Sequence, residues 1–69
     1  MEINEKLKNA RKSQNLTQSQ LAEKLHVSRS LVARWEHGDV IPHITYLEEI
    51  SKNLNVPLED LLNEKDKSI

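Results

Sequence analysis

Two helix-start signals stand eleven residues apart within residues 17–38, and this spacing constrains the fold more than any other feature of the chain. Thr17 followed by Gln20 is a capping box, in which the hydroxyl accepts from the third helical amide and the Gln side chain reaches back. Ser28 is a second N-cap residue. Gly38, the only glycine, suits the left-handed position that closes a helix. The segment therefore predicts two short helices joined by a tight turn at residues 25–27.

The second of these helices has an apolar side and a polar side, because helical residues advance by about 100° each. Val32 and Trp35 fall on the apolar side, which we expect to be buried. The opposite side offers two arginines, a hydroxyl and a methyl group, all of which can bind base edges in the DNA major groove. Exposed arginines are often only solvated, but here a capped helix and a tight turn precede them, as in a DNA-binding helix-turn-helix. The residues expected to contact bases are Arg29, Ser30, Ala33 and Arg34.

Length and composition allow one small domain. The chain has 69 residues, of which 36% are hydrophobic and 30% charged, as in a globular domain. We expect the domain to span residues 1–64 and residues 65–69 to form a short C-terminal tail. No apolar run approaches the ~20 residues of a membrane span, and the polar N-terminus lacks the apolar region of a signal peptide. We therefore expect a cytoplasmic protein that does not bind membranes.

The net charge of −1 conceals an uneven distribution. Residues 1–37 carry seven Lys or Arg and four acids, whereas residues 38–69 carry three Lys and seven acids. Local field rather than total charge steers association, so the first half is able to approach phosphate while the second half faces away. This distribution favours a nucleic-acid partner, bound with modest and salt-sensitive nonspecific affinity.

Apolar residues recur at helical rather than alternating spacing, which predicts an all-α fold. Besides the two helices above, the spacing predicts a first helix over residues 3–13 and a fourth that begins near Ile44, after a loop containing Pro42. Asn55 suits a left-handed C-cap for the fourth helix, and Pro57 suits the first position of a fifth. We therefore expect five helices and no strand.

The chain resembles the single-domain helix-turn-helix repressors similar to phage lambda repressor and Cro. The resemblance covers residues 3–62 and rests on LTQSQLAEKL (16–25), VSRSLVARWEHG (27–38), Pro42 and LNVPLEDLL (54–62). It implies a compact five-helix domain in which helices 2 and 3 form the helix-turn-helix. It also implies an ion pair between Arg11 and Glu36. Phosphate contacts are expected from the starts of helices 2 and 3, at Thr17, Gln18 and Ser28, with Gln18 sometimes bonding a side chain of the recognition helix.

Three positions depart from the pattern of that family. His26 occupies a turn position that is often glycine, so we expect it in a left-handed conformation. The loop 39–41 carries an acid and two aliphatic residues where relatives often carry basic residues that contact phosphate. Leu31 stands where threonine is frequent, and it either packs on helix 2 or contacts a thymine methyl group.

Other chemistry is poorly supported by the sequence. Trp35 could stack on single-stranded nucleic acid, but its place beside Val32 favours core packing. The three histidines lack the spacing and the partner ligands of a zinc site. Ser28 and Ser30 have no neighbouring base or oxyanion loop that would make either a nucleophile. We therefore expect no enzymatic activity, no metal, no cofactor and no small-molecule ligand.

These features together predict a sequence-specific regulator of transcription that binds double-stranded DNA, most simply a repressor that occludes a promoter. One module of this size covers one half-site, so we expect a homodimer on a pseudo-palindromic operator. The alternative is a protein-interaction module, such as an antitoxin or an anti-repressor partner, and salt-dependent, sequence-selective binding of duplex DNA would separate the two. The residues expected at the dimer interface are Leu58, Leu61, Leu62 and Ile69.

Overall fold

Five α-helices make up the chain in the computed structural model, which describes residues 2–62. The prediction of an all-α, five-helix fold is confirmed, and the described residues contain no strand. The tail expected at residues 65–69, and the domain boundary at residue 64, lie outside the described residues. The helices are α1 (Ile3–Ser13), α2 (Gln18–Leu25), α3 (Arg29–His37), α4 (Ile44–Leu54) and α5 (Leu58–Leu62).

Side-chain caps begin three of the helices. The capping box of α2 is present in full: Thr17 Oγ1 accepts from the Gln20 amide at 3.0 Å, and Gln20 Oε1 accepts from the Thr17 amide at 2.8 Å. Ser28 Oγ accepts from the third amide of α3 at 3.1 Å. His43 Nδ1 accepts from the Thr45 amide at 3.2 Å and so caps α4, a role that its sequence position did not suggest. These caps satisfy amides that a helix leaves unpaired in its first turn.

Three helices end at a cap residue in the left-handed conformation. His26 (φ 60°), Gly38 (φ 94°) and Asn55 (φ 60°) close α2, α3 and α4, as the sequence predicts. In α1 the cap residue is Gln14 (φ −95°), and the left-handed residue is Asn15 (φ 59°), one position further on, which was not predicted. In each case the next amide reaches back to the helix, as when the Val27 amide donates to the Ala22 carbonyl at 3.0 Å.

The start of α5 differs by one residue from the prediction. Pro57 precedes α5, and its carbonyl accepts the first bond, from the Asp60 amide at 3.0 Å. Proline therefore stands at the capping position rather than at the first helical position. Both positions tolerate the missing amide hydrogen, so the presence of a proline did not show which of the two positions it would occupy.

One hydrophobic core joins all five helices. Trp35 is 1% exposed and packs against Tyr46, with ring centroids 5.3 Å apart and planes tilted by 51°. Burial of Trp35 confirms core packing over stacking on nucleic acid. Half-buried Leu31 packs against the same core, which favours the first of its two predicted roles. The buried hydrophobic residues are Leu7, Leu21, Ala22, Leu25, Val32, Trp35, Leu47, Ile50, Leu54 and Leu61.

The leucines of α5 do not share one environment. Leu61 is 2% exposed and belongs to the core, so the expectation that it faces a partner is wrong: its side chain already packs within its own domain. Leu58 is half-buried against the core. Leu62 is 44% exposed, and Ile69 lies outside the described residues. Large exposed hydrophobic residues also occur after α3, at Val40, Ile41 and Ile44.

Candidate nucleic-acid interface

The two sides of α3 are separated as the helical wheel predicts. Val32 and Trp35 are buried and anchor the helix in the core. Arg29, Ser30 and Arg34 are exposed on the other side, and Ala33, also on that side, is half-buried. The four residues expected to contact bases thus lie on a side of α3 that carries positive charge and no carboxylate.

The starts of α2 and α3 place polar groups beside this side of α3. Thr17 and Ser28 are exposed, and each hydroxyl oxygen accepts from an amide in its own helix. Because a hydroxyl carries one donor as well as two lone pairs, each O–H remains available to donate to an anion. Gln18 is half-buried at the first position of α2. Thr17 and Ser28 therefore each retain a hydroxyl donor for a phosphate, and the main-chain amide of Gln18, at the first helical position, has no acceptor within its own helix.

Arg11 and Glu36 form a buried pair between α1 and α3. Arg11 Nε donates to Glu36 Oε2 at 2.6 Å, and Arg11 Nη2 donates to Glu36 Oε1 at 2.9 Å. The two residues are only 7% and 6% exposed. A third donor, Arg11 Nη1, reaches the Leu16 carbonyl at 2.6 Å, just before the cap of α2. The bidentate bond between Arg11 and Glu36 fixes both the distance and the orientation of α1 relative to α3, and the bond to the Leu16 carbonyl adds the start of α2 to this arrangement.

Gln18 connects this pair to the exposed side of α3. Its Nε2 donates to Glu36 Oε1 at 3.1 Å, and its Oε1 accepts from Arg29 Nη1 at 3.4 Å. The Glu36 main-chain carbonyl also accepts from Asn4 Nδ2 at 3.3 Å. Within residues 2–62 no buried side-chain nitrogen or oxygen lacks a hydrogen-bond partner. The interface is therefore backed by a satisfied polar network rather than by apolar packing alone.

A shallow cleft of about 450 Å³ opens between the C-terminal part of α3, α1 and the start of α2. Lys8 lies in this cleft together with Arg34, and sequence reasoning missed it. The spacing held a signal, since Lys8 precedes Arg11 by three residues and so shares its face of α1. The cleft offers two cations and an amide to an anionic ligand, against the exposed Asp39 carboxylate and the Glu36 carboxylate that Arg11 already pairs. Its lining residues are Lys8, Gln18, Ala33, Arg34, Glu36, His37 and Asp39.

The acid in the loop after α3 faces the same cleft. Asp39 Oδ1 lies 3.0 Å from His37 Nδ1, and both side chains are exposed. A carboxylate here opposes the approach of phosphate, as the sequence departure at residues 39–41 indicates. Each of the three histidines lies in a different place: His37 beside Asp39, His43 at the cap of α4, and His26 in the turn after α2. Within the described residues no three His, Cys, Asp or Glu side chains are grouped to hold a metal ion.

Comparison with known proteins finds relatives that contain a helix-turn-helix. A helix-turn-helix family profile matches residues 7–61. The HTH-type transcriptional activator BcrR of Enterococcus faecalis is 48% identical over 63 residues, which are 91% of this chain and 31% of BcrR. The HTH-type transcriptional regulator SinR of Bacillus licheniformis is 37% identical over 67 residues, which are 96% of this chain and 60% of SinR. The chain therefore spans less than two thirds of either curated relative.

The same likeness holds in three dimensions. A crystal structure of SinR, described as the master regulator for biofilm formation in complex with DNA, matches with a TM-score of 0.82 at 34% identity. The match covers 88% of this chain and 98% of that one. None of the helices within residues 2–62 is long and apolar enough to cross a membrane. The profile match, the identities and the shared fold together establish that this chain belongs to the helix-turn-helix family.

Proposed function

We propose that this chain is the DNA-binding module of a transcriptional regulator, and that α3 enters the major groove of duplex DNA. The observation that carries the proposal is the exposed side of α3, where Arg29, Ser30 and Arg34 stand on a helix whose opposite side is locked in the core by Trp35. Guanidinium groups bind guanine O6 and N7 in a bidentate manner, and a serine hydroxyl bonds a base or a phosphate. A rigid helix presents such groups at a reproducible distance from the bases.

The flanking groups fit the phosphate backbone. Thr17, Gln18 and Ser28 lie at the starts of α2 and α3, where helix amides and hydroxyls favour anions. Lys8 and Arg34 add positive charge in the adjoining cleft. The named relatives support this assignment, since one is a transcriptional activator, another a transcriptional regulator, and a matching SinR structure contains DNA.

We further propose that two copies act together on a pseudo-palindromic operator. One recognition helix reads too few base pairs for useful specificity, and two helices about 34 Å apart read successive major grooves. Occupation of a promoter by such a dimer is sufficient for repression, whereas activation requires an additional surface for the polymerase. Repression is therefore the simpler outcome, and a reporter gene placed behind the bound operator would measure its sign.

Selection of bound duplexes from a random DNA pool tests the proposal. We expect a preferred site, and we expect Arg29→Ala and Arg34→Ala each to cost about 1–3 kcal/mol on that site and to relax preference at one or two base pairs per half-site. Lys52→Ala, which removes an exposed cation from α4, is the matched control and should leave base preference unchanged. Equal weakening on all duplexes would make the two arginines phosphate anchors. Binding to an acidic polypeptide, with no preference among duplexes, would favour the protein-interaction alternative.

A further inference from the structure

Glu36 does more in this structure than neutralise Arg11. Its Oε1 accepts one bond from Arg11 Nη2 at 2.9 Å and a second from Gln18 Nε2 at 3.1 Å. Gln18 Oε1 in turn accepts from Arg29 Nη1 at 3.4 Å. A continuous series of side-chain hydrogen bonds therefore runs from the buried pair to the first residue of the recognition helix.

The bond from Glu36 fixes which way the Gln18 amide points. An amide has two donors on its nitrogen and an acceptor on its oxygen. The opposite orientation would bring the Gln18 oxygen against the Glu36 carboxylate and the Gln18 NH2 group against the Arg29 guanidinium. Both contacts would be repulsive, so the carboxylate on one side and the guanidinium on the other select the same orientation.

This orientation has a consequence for Arg29, which is exposed at the start of α3. A long, unrestrained arginine samples many rotamers and loses that freedom when it binds. When Gln18 Oε1 holds one N–H group, the planar guanidinium keeps its remaining donors in a set direction. A fixed planar fork is what bidentate contact with guanine requires.

We propose that Glu36 is a positioning residue for sequence recognition: by orienting the Gln18 amide it preorganises Arg29, and it thereby contributes to base preference without contacting DNA. The proposal rests on the proposed function, since it requires that Arg29 reads a base. It assigns to a buried carboxylate an effect on specificity at one base pair of each half-site, in addition to its effect on stability.

Glu36→Gln is the direct test, because it keeps the shape of the side chain and removes its charge. Both oxygens of the Glu36 carboxylate accept from Arg11, and Oε1 is the one that also accepts from Gln18. If the introduced NH2 group takes the Oε1 position, Gln18 must rotate and present its own NH2 group to Arg29; if it takes the Oε2 position, a neutral carbonyl replaces the carboxylate as the acceptor for Gln18 and holds its amide less firmly. In both arrangements the orientation of the Gln18 amide is less strongly fixed than in the parent chain. We expect preference at the base pair read by Arg29 to fall by about threefold or more, while preference at the base pair read by Arg34 is kept. Preference is a ratio of two affinities, so loss of folded protein cancels.

Gln18→Met provides a second route that leaves the buried pair intact. It removes the acceptor for Arg29 and the donor to Glu36 with little change in side-chain length, so it should lower the same base preference with little loss of stability. In that background, Glu36→Gln should cause no further change in preference, because the side chain that carried its effect is absent. Leu54→Ala, a core change in α4, is the control for destabilisation and should leave base preference unchanged.

The outcomes separate this inference from the function on which it rests. If the unaltered chain showed no base preference, or if Arg29→Ala changed none, both would fail. If Arg29→Ala relaxed one base pair while Glu36→Gln and Gln18→Met left it intact, the function would stand and the positioning role would be overturned. The positioning role would also be overturned if Glu36→Gln lowered base preference equally in the parent chain and in the Gln18→Met background. In the free chain, the side-chain amide resonances of Gln18 should shift in Glu36→Gln, and unchanged resonances would contradict a role of the Glu36 carboxylate in orienting that amide.

Discussion

The two halves of this small domain, α1–α3 and α4–α5, are each stabilised by different kinds of contact. The seam between α1 and α3 contains the buried Arg11–Glu36 pair and its bonds to Gln18 and the Leu16 carbonyl. The α4–α5 half contributes only apolar side chains to the buried core: Leu47, Ile50, Leu54 and Leu61. Apolar burial is roughly proportional to area and carries no direction, whereas charge-assisted hydrogen bonds fix angles. In the α4–α5 half the side-chain hydrogen bonds are neutral and at most part-buried, as when Ser51 Oγ donates to the Val56 carbonyl. The buried, charge-assisted bonds thus occur in the half where the orientation of a recognition helix matters.

The same division appears on the surface. The first half presents Lys8, Arg29 and Arg34 around α3 and the adjoining cleft. The helices α4 and α5 present exposed acids at Glu48, Glu49, Glu59 and Asp60. Acidic residues on α4 and α5 repel phosphate and so disfavour binding of that half to DNA. The contrast therefore predicts that the two halves respond differently to substitution, and three predictions test it.

The largest effect is expected at the polar seam. Glu36→Ala would leave the buried Arg11 guanidinium without its carboxylate, and we expect a loss of about 3–5 kcal/mol in the free energy of unfolding. Glu59→Ala, an exposed acid on α5, is the matched control and should change stability by less than about 0.5 kcal/mol. Thermal or urea unfolding followed by circular dichroism measures both.

A paired substitution shows whether the loss comes from the unpaired charge. Arg11→Met combined with Glu36→Leu removes both charges and should recover most of the stability lost in Glu36→Ala, because apolar pairs of similar volume often replace buried ion pairs at little cost. A loss below about 1 kcal/mol in Glu36→Ala would mean that the pair behaves as an exposed one, and the contrast between the two halves would fail.

The second prediction separates core from surface within α5. Leu61→Ala should cost about 2–3 kcal/mol, the lower part of the range for buried leucines, because a short terminal helix can partly fill the space. Leu62→Ser should leave the melting temperature nearly unchanged, since Leu62 is 44% exposed. If α5 forms the proposed dimer interface, Leu62→Ser should lower cooperative occupation of a two-half-site operator in gel-shift titrations. If Leu62→Ser kept its cooperative binding and Ile41→Ser lost it, the interface would instead lie in the loop after α3.

The sequence predicted regular features well because each depends on a few neighbouring residues. The start of α2 follows from Thr17 and Gln20, and the end of α3 follows from Gly38, without knowledge of the rest of the chain. The pairing of Arg11 with Glu36 came from family resemblance, since the two are 25 positions apart and no local rule joins them.

What the sequence did not predict depends on packing between helices. Leu58, Leu61 and Leu62 lie on one side of a five-residue helix, so their spacing alone did not distinguish core from surface. The bond between Gln18 and Glu36 requires that α2 and α3 meet at one particular angle, which the tight turn alone does not determine. Lys8 was missed because its importance comes from the cleft between α1 and α3.

The smallest effect concerns the turns that close one helix in each half. His26 ends α2 and Asn55 ends α4, both with φ of 60°. A left-handed conformation costs most residues about 1–2 kcal/mol, and Asn tolerates it better than His does. Glycine removes that cost but adds about 0.5–1 kcal/mol of backbone entropy to the unfolded chain. We therefore expect His26→Gly to raise stability by about 0.5 kcal/mol and Asn55→Gly to leave it nearly unchanged.

Differential scanning calorimetry can resolve this difference, because 1 kcal/mol shifts the melting temperature of a domain this small by about 4–8 °C. His26→Gly should then melt about 2–4 °C higher than the parent chain, with its DNA affinity retained, since the turn keeps the same backbone path. Gly38→Ala is the reverse control. Its added methyl group would have room, because the nearest atom, Asn4 Nδ2, lies 3.6 Å from the position of the new Cβ. The φ of 94° nevertheless strains the backbone of a residue with a side chain, so this substitution should destabilise the chain. A lower melting temperature in His26→Gly would mean that the imidazole stabilises the turn by a contact of its own, and the two halves would then differ in their turns as well as in their seams.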